Sequence, residues 1–209
     1  MLPDALIDGY RRFRDGRLAD EKARYRELAE GQAPETMIVG CADSRVDPAT
    51  IFAAAPGELF VVRNVAALVP PFEPDAGYHG TSAALEFAVT GLRVRNIVVM
   101  GHGQCGGVTA ALAGAERKPA GMFIGPWVEL LAPARDPMLA DGSIDPEDRQ
   151  LVLERRGIQL SMENLRTFPF VKAAEKCGEI DLYGAWFSIR ESKLYWCDGP
   201  KGDFLPVTT

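Results

Sequence analysis

In the stretch "GCADSRV" a thiol, an acid and a base fall on alternate positions as Cys41, Asp43 and Arg45. Further along, "GHGQCGG" offers His102 and Cys105 in an H-x-x-C spacing that one loop can close around an ion. Two thiolates and an imidazole make a soft donor set that selects zinc. Three protein ligands leave the fourth position open, the pattern of catalytic rather than structural zinc. Singly, each residue has a plainer reading, because a buried Cys is commonly a small core hydrophobe. Their joint occurrence in a chain with 2 histidines is what points to a metal. Cys177 and Cys197 lack such company and read as core or surface thiols.

Asp43 and Arg45 lie two positions apart, so on an extended segment they share a side and can pair. On an open surface such a pair contributes little. Beside zinc it has a task. Two thiolates neutralise the ion and weaken it as a Lewis acid, so a bound water needs help to ionise. Asp43 can accept a hydrogen bond from that water while Arg45 keeps the carboxylate charged and off the metal. Without Arg45, Asp43 itself becomes the fourth ligand and closes the site.

These side chains need elements that bring them together. "TMIVGC", "ELFVVRN" and "NIVVMGH" are short apolar runs rich in β-branched residues, and they read as buried parallel strands. Cys41 closes the first and His102 the third, and open α/β sheets bind ligands beyond the carboxyl ends of such strands. Between the second and third, "YHGTSAALEFAVTGL" carries Ala84, Leu85, Ala88 and Val89 as a helical stripe ended by Gly91. A Pro- and Asp-rich loop then leads to a long helix from about Pro146 to Thr167, and "GEIDLYGAWFSIRESKLYWCDG" alternates as two strands around a turn at "RESK". The expected fold is α/β: a central, mostly parallel sheet flanked by helices, with a C-terminal antiparallel hairpin. Residues 4 to 31 read as helical and strongly charged around Leu6, Ile7, Tyr10 and Phe13, an arm that packs over something, such as a second subunit.

The 209 residues fit one domain, divided here into the arm (1–31) and an α/β core (32–209). A formal net charge of −6 argues against nucleic acid. No window approaches a membrane span, and the amino terminus shows neither a signal nor a transit pattern. With 4 cysteines and no such signal, the cytoplasm is the expected compartment.

Together "CADSRV", "PGELFVVRNVAALVPP", "GTSAALEFAV", "NIVVMGHGQCGG" and "LYGAWFSIRESKLY" resemble the β-class carbonic anhydrases, from about Gly31 to Asp198. The resemblance implies one Zn2+ per chain on Cys41, His102 and Cys105, and reversible hydration of carbon dioxide to bicarbonate and a proton by attack of zinc-bound hydroxide. Asp43 and Arg45 match the family's dyad, with Asp43 on the metal only in a closed form. Gln32 stands where the plant-like (type I) members have a substrate-binding Gln. Ile38 stands where the bicarbonate-sensitive group has Trp, so an open site without a bicarbonate switch is expected. Phe60 and Val65 match the apolar wall of the substrate pocket, and the backbone at Gly106 contacts substrate. Phe87 replaces a pocket Tyr, and Thr90 replaces a His assigned to proton transfer, leaving that role unfilled. His79 reads as a surface residue at a helix start. Homodimers or homotetramers are implied. Two alternatives stay open: hydrolysis of carbonyl sulfide or carbon disulfide on the same fold, and a non-catalytic zinc staple.

Overall fold

The computed structural model describes residues 2–75, 77–115, 121–199 and 202–208. The chain begins with α1 (Asp4–Asp15) and α2 (Arg17–Leu28), which break at Gly16 rather than running as one helix. Neither helix buries a residue, and Leu6 and Tyr10 are each 60% exposed. The arm is anchored through α2, where Arg24 donates to the Pro56 carbonyl at 2.6 Å and pairs with Glu58.

Next come β1 (Thr36–Cys41), the short α3 (Pro48–Ile51), β2 (Leu59–Asn64), α4 (Gly80–Glu86) and β3 (Asn96–His102). These are followed by α5 (Gly106–Ala115), α6 (Ile124–Val128), α7 (Ala132–Ala140), α8 (Arg149–Leu165) and α9 (Pro169–Lys176). The chain closes with β4 (Asp181–Ser188), β5 (Lys193–Cys197) and β6 (Phe204–Pro206). The six strands form one sheet in the order β2-β1-β3-β4-β5-β6. The first four are mutually parallel, and β4-β5 and β5-β6 are antiparallel. The α/β architecture and the carboxy-terminal hairpin therefore match the expectation, and β6 extends the hairpin by a third strand.

The period-2 alternation of the strands divides the core between two faces. Met37, Val39, Ile97 and Val99 point to one face, where they meet Leu85 of α4, Ala88 just after it, Ile158 and Met162 of α8 and Val171 of α9. Ile38 and Met100 point to the other, against Val108 and Ala111 of α5, Leu131, and Met138 of α7, and Cys41 at the end of β1 joins this cluster. β1 and β3 are buried on both faces, as all-parallel strands should be. β2 is not: it is the edge strand, and Val61 is 38% exposed.

The helix in "YHGTSAALEFAVTGL" runs past Gly91. After α4 the backbone widens into a π-type turn over Phe87–Leu92, and Arg93 rather than Gly91 takes the left-handed terminating conformation (φ 56°). The loop expected between Pro137 and Pro146 is present over residues 141–148, and the segment before it, including residues 138–140, is the helix α7. Pro133 sits in the first turn of α7, where a missing N–H costs nothing, and Pro137 is tolerated inside it.

Candidate metal centre

The chain moves from β1 to β2 on one side and then crosses to β3 on the other, so β1 marks the point where strand order reverses. Ligand sites of open α/β sheets form at the carboxyl ends of strands at such a point. Cys41 ends β1, His102 ends β3, and Cys105 follows on the loop into α5. Their ligand atoms all lie within 4.8 Å of one another, and all three residues are buried.

The donor atoms fit zinc. The two sulfurs are 3.9 Å apart, close to the roughly 3.8 Å spanned by two thiolates 2.3 Å from a tetrahedral ion. His102 donates its Nδ1–H to the Gly103 carbonyl at 2.9 Å, which fixes the tautomer and leaves Nε2 with a free lone pair. That Nε2 is buried with no hydrogen-bond partner among the described residues, an arrangement that is costly unless a ligand takes it up.

Local backbone geometry supports the thiolates. A hydrogen bond from Cys105 is foremost in lowering Cys41 to about 4, against the opposing effect of burial, and the amides of Asp43 and Ala66 assist. The same sulfur contact, together with burial, pushes the Cys105 thiol up. A cation bound between the two sulfurs would favour both as thiolates and release their protons. Ala66 offers its amide from a turn in which it and Ala67 both have positive φ (68° and 54°), and Gln104 in the His-to-Cys loop has φ 59°. Strained backbone at non-glycine residues therefore clusters around the three ligands.

Asp43 is paired with Arg45. Arg45 holds it through Nε at 2.9 Å on one oxygen and Nη2 at 2.7 Å on the other, and the Arg45 amide donates a third bond at 2.9 Å. Arg45 also donates to the Gln104 carbonyl at 3.1 Å, tying the loops after β1 and β3 together. This guanidinium keeps the Asp43 carboxyl well below the usual carboxylate range. The carboxylate still stands 3.9 Å from His102 Nε2, beside the position a metal would take.

The remaining expected site residues fall into two groups. Val65 follows β2 directly, adjoins Gly107 of α5 and accepts a hydrogen bond from Trp127 at 2.8 Å, so it stands with Gly106 beside the ligands. Gln32, Phe60 and Phe87 do not. Gln32 is exposed and precedes β1, so the six residues of that strand, roughly 17 Å, separate it from Cys41. Phe60 pairs with Met37 near the start of β1, and Phe87, half exposed, packs against it with ring centroids 5.8 Å apart. Thr90 is spent on the Glu86 carbonyl, and His79 pairs with Asp75 ahead of α4. Cys177 is exposed, and Cys197, the last residue of β5, is buried against Gln159 of α8.

Sequence reasoning missed Glu154. This buried acid on α8 accepts the Cys105 amide at 3.0 Å, the Gln150 side chain at 2.8 Å and the Trp186 indole at 3.2 Å. Burial raises its pKa, with these donors opposing. The legible signal was its spacing: residue 154 shares a helical stripe with buried residues 158, 161 and 165.

Comparison with known proteins agrees with this geometry. The carbonic anhydrase family model matches residues 36–194. Beta carbonic anhydrase 5, chloroplastic, of Arabidopsis thaliana is 35% identical over 187 residues, 89% of this chain and 62% of that protein. The mitochondrial beta carbonic anhydrase 6 of the same plant is 33% identical over 193 residues, 91% and 66% of the two chains. This chain therefore spans just under two thirds of the length of these curated relatives. The structure of the β-carbonic anhydrase CcaA superposes with a TM-score of 0.91 at 30% identity, covering 98% of both chains. A tetrameric β-carbonic anhydrase from Sordaria macrospora gives 0.84 at 26% identity over 94% of this chain and 96% of that one. With the family pattern matched over most of its length and its fold reproduced throughout, the chain belongs to the β-class carbonic anhydrases.

Proposed function

We propose that this protein is a zinc-dependent carbonic anhydrase that interconverts carbon dioxide and bicarbonate. The observation that carries the reading is the convergence of two thiolate-forming sulfurs and an orphaned imidazole nitrogen beside a carboxylate held by arginine. Cys41, His102 and Cys105 would hold the zinc. When bound, zinc supplies a Lewis acid that lowers the pKa of a water molecule in its fourth position.

The chain's own residues supply the rest. Asp43, kept ionised by Arg45, accepts a hydrogen bond from the attacking oxygen and orients it toward carbon dioxide. The geometry of the pair favours an open site of the plant-like kind, since a carboxylate gripped at both oxygens is not free to ligate the metal. Val65 provides apolar surface and Gly106 a backbone donor on the near side. Gln32, Phe60 and Phe87 sit too far along β1 and β2 to serve the same chain's metal, so they act on the site of a second copy. The exposed Leu6 and Tyr10 of the arm are suited to bind that copy. In this reading residues 1–31 and 32–209 work as one domain with a dimerising arm, and dimers can pair further. All four cysteines are free thiols, the form a reducing compartment such as the cytoplasm maintains.

Zinc analysis with stopped-flow hydration of carbon dioxide tests the reading. One zinc per chain with hydration that rises with pH is expected, without cooperative loss of activity in bicarbonate. One zinc per chain without hydration would leave only a structural metal.

A further inference from the structure

Cys105 is held by two residues of a helix 45 or more positions away in sequence. The Gln150 side chain donates to the Cys105 carbonyl at 3.0 Å, and Glu154 accepts the Cys105 amide at 3.0 Å. The two side chains lie one turn apart on α8 and are bonded to each other at 2.8 Å, so they grip both polar groups of one residue as a unit. Glu154 is 5% exposed and forms no ion pair with a lysine or arginine among the described residues; its other donor is the Trp186 indole.

A buried carboxylate without a cationic partner is an expensive way to fill space, and an apolar residue of similar volume would suit a purely structural position better. The loop that it holds is the one that needs holding. Gln104 stands at φ 59° immediately before Cys105, a conformation that a non-glycine residue keeps only when its surroundings enforce it. Arg45, on the loop after β1, restrains the Gln104 carbonyl, and α8 restrains Cys105.

We propose that Gln150 and Glu154 are positioning residues for the metal centre: as a clamp on the Cys105 backbone, they set its sulfur in the geometry that completes the ligand triad. The inference rests on the zinc reading above. Partners that orient ligands in this way typically govern metal affinity by about 10- to 100-fold.

The experiment measures zinc release from the purified holoenzyme to a chromogenic chelator, alongside Tm and the thiolate-to-metal absorption bands of the cobalt-substituted protein. Glu154→Leu should release zinc at least about 10-fold faster and shift the cobalt bands. Glu154→Gln, which retains an acceptor for the amide, should stay within about 3-fold of wild type. Leu165→Val, on the same helix but away from the loop, should lower Tm without altering release. If Glu154→Leu lowers Tm but releases zinc at the wild-type rate, or if Glu154→Gln matches Glu154→Leu, the clamp is refuted. Should Glu154→Leu fail to fold, half-buried Gln150→Leu carries the test, with unchanged release refuting the clamp. A wild-type protein that binds no zinc refutes the metal reading itself, an outcome distinct from a clamp that makes no difference.

Discussion

Replacing Asp43 with Asn preserves the shape of the side chain and removes the charge that Arg45 grips at both oxygens. Because Asp43 is not one of the three ligands, the variant should keep its zinc. It should lose turnover by roughly 100-fold or more, the scale at which positioned proton acceptors contribute. Zinc analysis and stopped-flow hydration on the same sample check both halves, and wild-type turnover would remove Asp43 from the mechanism. The pair also predicts a pH dependence. Arg45 depresses the Asp43 pKa in the folded state, so the stabilisation is present above the unfolded value of about 3.9 and is lost as pH falls from there toward the folded value. The Tm difference between wild type and Asp43→Asn should therefore be constant from pH 6 to 8 and shrink below about pH 4. Arg45 is 47% exposed, so the difference itself should be modest.

At the scale of elements, the centre depends on how closely α5 approaches the turn after β2. A Cβ on Gly107 would lie 2.6 Å from Val65 Cγ1 and 2.9 Å from the Ala66 Cβ, whereas one on Gly106 meets nothing within 4 Å. Ala66 presents its amide to the Cys41 sulfur, so a push at Gly107 reaches a ligand. Gly107→Ala should cost about 1–3 kcal/mol and weaken zinc retention, while Gly106→Ala should leave stability within about 0.5 kcal/mol of wild type. Thermal unfolding of the pair decides it, and equal Tm values would show that α5 can move freely. The sequence made the strand ends legible because β-branched runs stop at reactive residues, and those strands form as read. It left α7 unassigned because Pro133 and Pro137 weaken a helical pattern, yet buried Arg135, paired with Glu129 and Asp136, holds that segment in place. It hid Glu154 because an acid in "LVLERRG" has the appearance of a solvated helix face until the stripe below it is counted.

In the proposed function, the whole molecule must explain why one chain would carry both halves of a pocket at opposite ends of a strand. Cys41 and Gln32 lie on either side of β1, and no side-chain rotation spans roughly 17 Å of strand. A two-fold pair of copies resolves this if each lends Gln32, Phe60 and Phe87 to the other's metal, since an isologous interface makes every such loan reciprocal. The arrangement makes a prediction that a self-contained site does not. Cys41→Ser should abolish zinc chemistry in its own chain but leave that chain's Gln32 intact, and Gln32→Leu should do the converse. Each homo-oligomer should be poorly active. When the two are unfolded together and reassembled, hybrids should regain one complete site, restoring roughly a quarter of wild-type activity for random pairing of dimers. Mixed preparations that show only the average of the two parents would place Gln32 outside the second copy's site. A chain lacking residues 1–15 sharpens the distinction: if α1 holds the copies together, its loss should yield monomers by light scattering that retain zinc yet hydrate carbon dioxide slowly. Binding of the metal would then be a property of the chain, and catalysis a property of the assembly.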